Sequence, residues 1–314
     1  MLDFEPYRRE LLAYCYRMLG SVHEAEDLVQ DTMLRAWRAR DSYDGAKASV
    51  RTWLYRIATN VCLTALDGKA RRPLPSGLGA PSTDSDAPLL PAFDVPWLQP
   101  FPDARLADAT DPEALAVKRG SMRLALIAAI QLLPPRQRAV WVLREVLEFR
   151  AAEVAELTGA SVASVNSALQ RARTALANAT LVEEEVDRPD DPDVRATVEA
   201  YVRAFEAADV DTLVELLTED AILEMPPVPL WYVGRDRYGD FIRRVFAMRG
   251  VGWRMVPTGA NGQPAVAAYA PDPDGTLRLH TVQVFTVTGG KIAHTVVFQD
   301  PAVFDIFDLP GVLG

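Results

Sequence analysis

The sequence predicts two all-α domains followed by an α+β domain, and three observations carry that division. Apolar residues recur at helical spacing through residues 1–72 and again through 116–180. Nine of the 23 prolines crowd into residues 73–112 between those runs, and from residue 251 the helical spacing gives way to alternation with period two. With 314 residues, 49% of them hydrophobic and 24% charged, the chain has material for two or three cores.

From residue 7 to 40 one run holds Leu11, Leu12, Tyr14, Cys15 and Met18, and a second holds Leu28, Val29, Met33, Leu34 and Trp37. Gly20-Ser21 separates them, with Ser21 placed as an N-cap and Glu24 completing a capping box. A third run, Val50, Trp53, Leu54, Ile57, Val61 and Leu63, follows the Asp44-Gly45 turn and takes Ser49 as its cap. Proline fixes φ and removes a backbone donor, so residues 73–115 read as an acidic linker. Its apolar island, with Trp97 and Phe101, is expected to dock on a surface. Helices resume at 122–133 and 136–148. Two more, at 151–157 and 161–179, flank a Thr158-Gly159-Ala160 turn in the manner of a helix-turn-helix. The third domain, residues 192–314, is expected to hold helices at 194–208, 210–217 and about 238–248, with a strand at 221–225. An antiparallel sheet should follow from strands at 251–256, 265–269, 277–287 and 292–298, punctuated by Asn261-Gly262, Asp274-Gly275 and Gly289-Gly290.

The net charge of −10 conceals a segregation. Residues 1–72 carry +2 and residues 116–180 carry +5, whereas the linker carries −6 and residues 181–314 carry −11. Screening makes the local sign decide what a surface attracts, so the two helical segments remain open to nucleic acid. Two cysteines without a CxxC pair and three scattered histidines argue against a disulfide scaffold or a structural zinc. Cys15 and Cys62 are read as small buried hydrophobes. The charged start of the chain and the lack of a long apolar stretch lead to the expectation of a cytoplasmic protein with no membrane partner and no cofactor.

In the last helix of the second domain Val162, Val165, Leu169, Ala172 and Leu176 form one face, and Ser164, Ser167, Gln170, Arg171 and Arg173 lie on the other. A wet face of small, polar and basic residues without a carboxylate suits a DNA groove. A second basic element, Lys47, Arg51, Arg56, Lys69, Arg71 and Arg72, is interleaved with Trp53 and Tyr55. Cations neutralise phosphate and aromatics can stack on opened bases. Trp53 is read as core or half-buried, while Arg51, Arg56 and the 69–72 cluster are read as DNA contacts.

These residues resemble a family. The blocks Ala25-Glu26-Asp27-Leu28-Val29-Gln30-Asp31 and Arg51-Thr52-Trp53-Leu54-Tyr55-Arg56 resemble region 2 of extracytoplasmic-function (ECF) sigma-70 factors. Leu133-Pro134-Pro135-Arg136-Gln137-Arg138 and Ser164-Val165-Asn166-Ser167-Ala168-Leu169-Gln170-Arg171 resemble region 4, and the linker's Arg72-Pro73-Leu74-Pro75 resembles the sigma-G-like subgroup. The resemblance implies a factor that binds core RNA polymerase and directs promoter-specific initiation. Asp27, Gln30 and Asp31 would face the β′ coiled coil, with the β subunit as a further contact. Arg56, Asn60 and the segment to Arg72 would read and help melt the −10 element, and residues 161–173 would read the −35 element. Thr64 stands where many relatives carry an aspartate, which leaves the −10 preference open. The linker acids Asp84, Asp86 and Asp94 would enter the polymerase cleft.

Residues 192–314 resemble SnoaL-like members of the nuclear-transport-factor-2-like cone fold. That resemblance implies a domain that tunes activity, with room for a small ligand in its pocket or an anti-sigma factor as partner. Its candidates for acid–base work are Asp220, Glu224, His280, His294 and Tyr269, against which a structural or regulatory role is preferred. The rival readings are a one-component regulator that binds an operator without polymerase, and a cyclase or isomerase in the third domain.

Overall fold

The computed structural model describes residues 2–106, 121–184, 186–188 and 191–313, with 178–184 described by backbone alone. Residues 107–115 of the expected linker, 116–120 of the second helical domain, and Glu185, Pro189 and Asp190 of the following boundary lie outside the described residues. The chain forms two compact units, Met1–Arg72 with Ala104–Glu183, and Pro73–Asp103 with Glu184–Gly314.

The first unit is helical: α1 (Arg8–Leu19), α2 (Val22–Ala39), α3 (Val50–Ala65), α4 (Leu124–Gln131), α5 (Pro135–Trp141), α6 (Ala151–Thr158) and α7 (Val162–Glu184). The expected caps are in place, with Ser21 Oγ accepting from the Glu24 amide at 3.3 Å and Ser49 Oγ from the Thr52 amide at 3.1 Å. The helix expected at 136–148 is instead α5 followed by a π-helical turn, Val142–Val146. Cys15 on α1 and Cys62 on α3 are fully buried free thiols with sulfurs 3.7 Å apart.

Two buried arginines join the region before the linker to the region after it. Arg138 on α5 donates through Nη1 to Met18 O and Gln131 Oε1 (2.7 Å), and through Nη2 to Gln131 O (2.8 Å) and Leu133 O (3.1 Å). Arg17 on α1 donates to Ser121 O (3.3 Å) and Ser121 Oγ (2.7 Å), and its own carbonyl accepts from Gln131 Nε2 at 3.2 Å. Burial pushes each guanidinium down to about 10, so both stay charged at neutral pH, answered by oriented carbonyls.

The second unit holds α8 (Pro192–Glu206), α9 (Val210–Glu215), β1 (Leu217–Met225), β2 (Val228–Val233), α10 (Arg235–Arg249), β3 (Arg254–Ala260), β4 (Gln263–Pro271), β5 (Leu277–Thr288), β6 (Lys291–Phe298), α11 (Pro301–Ile306) and β7 (Val312–Leu313). The sheet order is β2-β1-β6-β5-β4-β3, with β7 beside β5. It is mixed rather than wholly antiparallel, because β1 and β6 run parallel with Leu223 opposite Thr295. Its inner face, Leu223, Met225, Tyr232, Phe285 and Val287, packs on Tyr201, Phe205, Tyr238 and Phe241 from the helices. Strand β2 escapes the sequence pattern because Pro229 interrupts it, which an edge strand tolerates. Asp220 and Glu224, expected at a helix end and a turn, both sit within β1.

Residues 73–103 belong to this second unit, not to a free tether. They form a strap, clasped at Ser76, whose amide donates to Glu224 Oε2 at 2.7 Å, and at Ser82, whose amide donates to Trp231 O at 2.8 Å. At the far end Phe101 and Asn261 exchange two bonds, of 2.7 and 2.8 Å. Asp103 Oδ1 accepts from the Gly262 amide at 2.7 Å. Leu98 and Phe101 are fully buried and Trp97 nearly so, and the Trp97 indole donates to Ala92 O at 2.8 Å. The apolar island docks, as its composition suggests. The Asn261-Gly262 turn, with positive φ at both residues, serves as its clasp.

Candidate nucleic-acid and protein interfaces

On α2, Asp27 and Gln30 are exposed and Asp31 is half-buried, its carboxylate paired with Arg35 at 2.9 and 3.0 Å. Leu34 and Trp37, counted in the sequence among the apolar recurrences of this helix, are each 48% exposed. The spacing 27, 30, 31, 34, 37 places all five on one helical stripe, acidic at its start and apolar at its end. Gln30, Met33, Leu34 and Trp37 line a groove of about 460 Å³ with Phe4 and Arg8, and the Arg40 guanidinium lies 4.3 Å from the Trp37 ring. Leu34 and Trp37 were missed as site residues because periodicity marks a face as apolar without saying whether anything in the chain covers it.

On α3, Arg56, Asn60 and Thr64 are exposed at successive i, i+4 positions. The Thr64 hydroxyl is turned to the Asn60 carbonyl at 2.9 Å, while the Asn60 side chain stays on the outer face. Arg51 is differently placed. It pairs with Glu10 at 3.0 Å and stacks 5.0 Å from both the Tyr55 and Phe149 rings, so here it ties α1, α3 and the segment before α6 together. Tyr55 is fully buried, and Trp53 is half-buried, packing against Phe4 and Tyr43 with centroids 5.8 and 5.2 Å away. Lys69 and Arg72 converge on Glu24 at 3.0 Å each. Partial burial acts to raise the Glu24 carboxyl, but the Lys69 hydrogen bond and the Arg72 charge outweigh it and hold the group below its usual range. Arg71 is exposed beside them.

The helix-turn-helix forms, with Gly159 in the left-handed region at φ 64° closing α6. Val165, Ala168, Leu169, Ala172 and Leu176 bury one face of α7, whereas Val162 is 44% exposed. Ser164, Ser167, Gln170, Arg171 and Arg173 all lie on the exposed face. Arg173 pairs with Glu145 at 2.9 Å, and Ser164 lines a small crevice with Leu63 and Arg136.

The five acid–base candidates of the third domain do not converge. Glu224 and His294 meet at 2.9 Å on the sheet face that carries Trp231, under the amide of Ser76. Burial acts to raise the Glu224 carboxyl, and its bond to His294 with that to Ser76 brings it below the ordinary value. His280 sits 5.5 Å from the Trp253 ring, pushed down to about 4 by burial and by Arg249. Asp220 is exposed and Tyr269 is buried on β4. The domain interior holds instead a chain of neutral polar groups: Tyr201 Oη to Tyr238 Oη (2.9 Å), Tyr238 Oη to Thr295 Oγ1 (3.0 Å), and Tyr201 Oη to Gln283 Oε1 (3.4 Å). Among the described residues no group of three or more metal-ligating side chains converges, and no helix is long and apolar enough to cross a membrane.

Comparison with known proteins agrees with this layout. Sigma-70 region 2 matches residues 4–72, Sigma-70 region 4 matches residues 123–176 and the SnoaL-like domain matches residues 198–295. The chain is 49% identical to the ECF RNA polymerase sigma factor SigG of Mycobacterium tuberculosis, over 98% of this chain and 83% of that protein. It is 26% identical to the probable ECF RNA polymerase sigma factor SigI of the same species, over 95% and 92% of the two chains. The crystal structure of the ECF sigma factor SigJ, also from M. tuberculosis, superposes with a TM-score of 0.67 at 26% identity, covering 98% of this chain and 99% of that one. Two helical sigma regions in order, a cone-like domain after them and a relative of nearly half identity along almost the whole length together place the chain: it belongs to the ECF sigma-70 factors that carry a C-terminal SnoaL-like domain.

Proposed function

We propose that the chain binds core RNA polymerase through the α2 stripe and carries it to promoters that α3 and α7 read. Asp27, Gln30 and Asp31 meet the basic β′ coiled coil, with Leu34 and Trp37, each about half exposed, adding apolar area. Arg56, Asn60, Lys69, Arg71 and Arg72 act at the −10 element, and Ser164, Ser167, Gln170, Arg171 and Arg173 at the −35 element. Arg51 joins them only if its Glu10 and Phe149 contacts open. The observation that carries the reading is the mixed acidic and apolar stripe on α2, held out from the core in a chain whose close relative is a sigma factor.

The cone-like domain is the regulatory part, acting in the cytoplasm without catalysing a reaction. Its means is the strap. Asp84, Asp86 and Asp94 are exposed, yet their backbone is fastened to the cone, so they enter the polymerase cleft only after the strap leaves. An anti-sigma factor or a small ligand could set that balance. Charge reversal at Asp27 and Asp31 should abolish co-purification with core polymerase and run-off transcription while leaving the circular dichroism unchanged. Undiminished co-purification would favour the operator-binding alternative.

A further inference from the structure

Residues 84–92 of the strap occupy the seam where β2 faces α10. Tyr232 Oη on β2 donates to Asp84 O at 3.2 Å. Arg244 Nη1 on α10 donates to two carbonyls, Ser85 O at 2.7 Å and Ala87 O at 2.8 Å. Two residues further on, the Leu89 side chain lies against the interior cluster that includes Tyr232, Phe241 and Ile242. The cone therefore presents a guanidinium and a phenol beside an aromatic wall, and the strap answers with three carbonyl oxygens and one aliphatic side chain. Carbonyls give the guanidinium acceptors but no counter-charge, whereas a carboxylate supplies the opposite charge and can take two of its N–H groups at once. Burial raises the Tyr232 phenol against the pull of the Arg244 charge, and the strap's Asp84 and Asp86 carboxylates add to that rise.

We propose that this seam is a binding site for an amphipathic carboxylate, one apolar chain ending in a carboxylate, and that the strap is its resident substitute. The ligand carboxylate takes Arg244 and Tyr232, and its chain takes the place of Leu89 against the interior cluster. Entry displaces the middle of the strap, whose main-chain ties to β2 and the turn before it are Ser82 N to Trp231 O (2.8 Å) and Ala92 N to Pro227 O (2.9 Å). The clasps at Ser76 and at Asn261-Gly262 lie elsewhere on the sheet and stay closed. The inference rests on the reading of the cone as the regulatory part, and its test needs neither polymerase nor DNA.

The test is amide exchange on the full chain with dodecanoate below its micellar concentration, alongside acetate and 1-dodecanol as probes of charge alone and chain alone. Dodecanoate should raise exchange at the Ser82 and Ala92 amides at least tenfold, saturably, with the Phe101 and Asn261 amides still protected. Arg244→Gln should raise the half-saturating concentration at least tenfold, and Leu89→Ala, which removes the competing side chain, should lower it. No rise with dodecanoate, an equal rise with dodecanol, or an unchanged response in Arg244→Gln would each overturn the proposal.

Discussion

Among the described residues of the helical unit the buried charges are cations, Arg17, Arg123 and Arg138, and backbone carbonyls answer Arg17 and Arg138. Among the described residues of the cone unit the buried charge is an anion, Glu224, and a histidine with a backbone amide answers it. Both arrangements fasten parts of the chain far apart in sequence, but to different ends. The arginines lock helices together and leave the outward faces of α2, α3 and α7 exposed. Glu224 holds a segment that the transcription reading requires elsewhere, so the same device becomes releasable. A buried charge met by main chain thus acts as a lock in one unit and as a latch in the other.

The contrast breaks most visibly at Arg138. Replacing it with Met leaves the carbonyls of Met18, Gln131 and Leu133 without their donor, and should cost the helical transition about 3 kcal/mol in urea while the cone's transition holds. On the outward side, Arg171→Ala should weaken binding of a −35 duplex by about 2 kcal/mol at fixed salt, read by fluorescence anisotropy, with no change in stability. Glu224→Ala should loosen the latch by about 2 kcal/mol, read as faster exchange of the Ser76 amide. Since the folded carboxyl lies below the unfolded value near 4.5, that contribution is present above pH 4.5 and fades below it.

A smaller effect separates the units by acid. His280 is held neutral, with its folded value near 4 against 6.5 unfolded, so stability is full above pH 6.5 and declines as pH falls towards 4. With the ring partly exposed, the loss should be on the order of 1 to 2 kcal/mol in the cone's transition. His280→Phe should flatten that slope. Smallest of all, Gly259→Ala would put a Cβ 2.7 Å from Asp103 Oδ2, and should loosen the far clasp by about 1 kcal/mol, seen at the Gly262 amide.

The helical unit was the more legible in sequence because its signals are local. Ser21, Ser49, Gly159 and the α7 face each declare themselves within a turn or two of helix. What failed there was non-local: Leu34 and Trp37 are apolar in either case, and only the fold shows them uncovered, just as only the fold gives Arg51 to Glu10 and Phe149. In the cone, period two found β4 to β6 and, set three residues too early, β3, but not β2 with its Pro229, nor the parallel pairing of β1 with β6. The docking of Trp97 and Phe101 could be foreseen from their cost in water. Their clasp at Asn261 could not, because Asn-Gly reads as a turn whether or not anything binds it.

The strap's side-chain ties to the cone join residues 148 to 160 positions apart. Contacts of such separation form late, and a chain emerging from the ribosome meets its local partners first. The strap is made before the sheet that receives it, and both helical regions are complete while β1 to β6 are still being synthesised. Each new molecule therefore passes through an interval in which its helical regions are made and the strap has no cone to dock on. The length of that interval is set by translation speed over the last hundred or so codons.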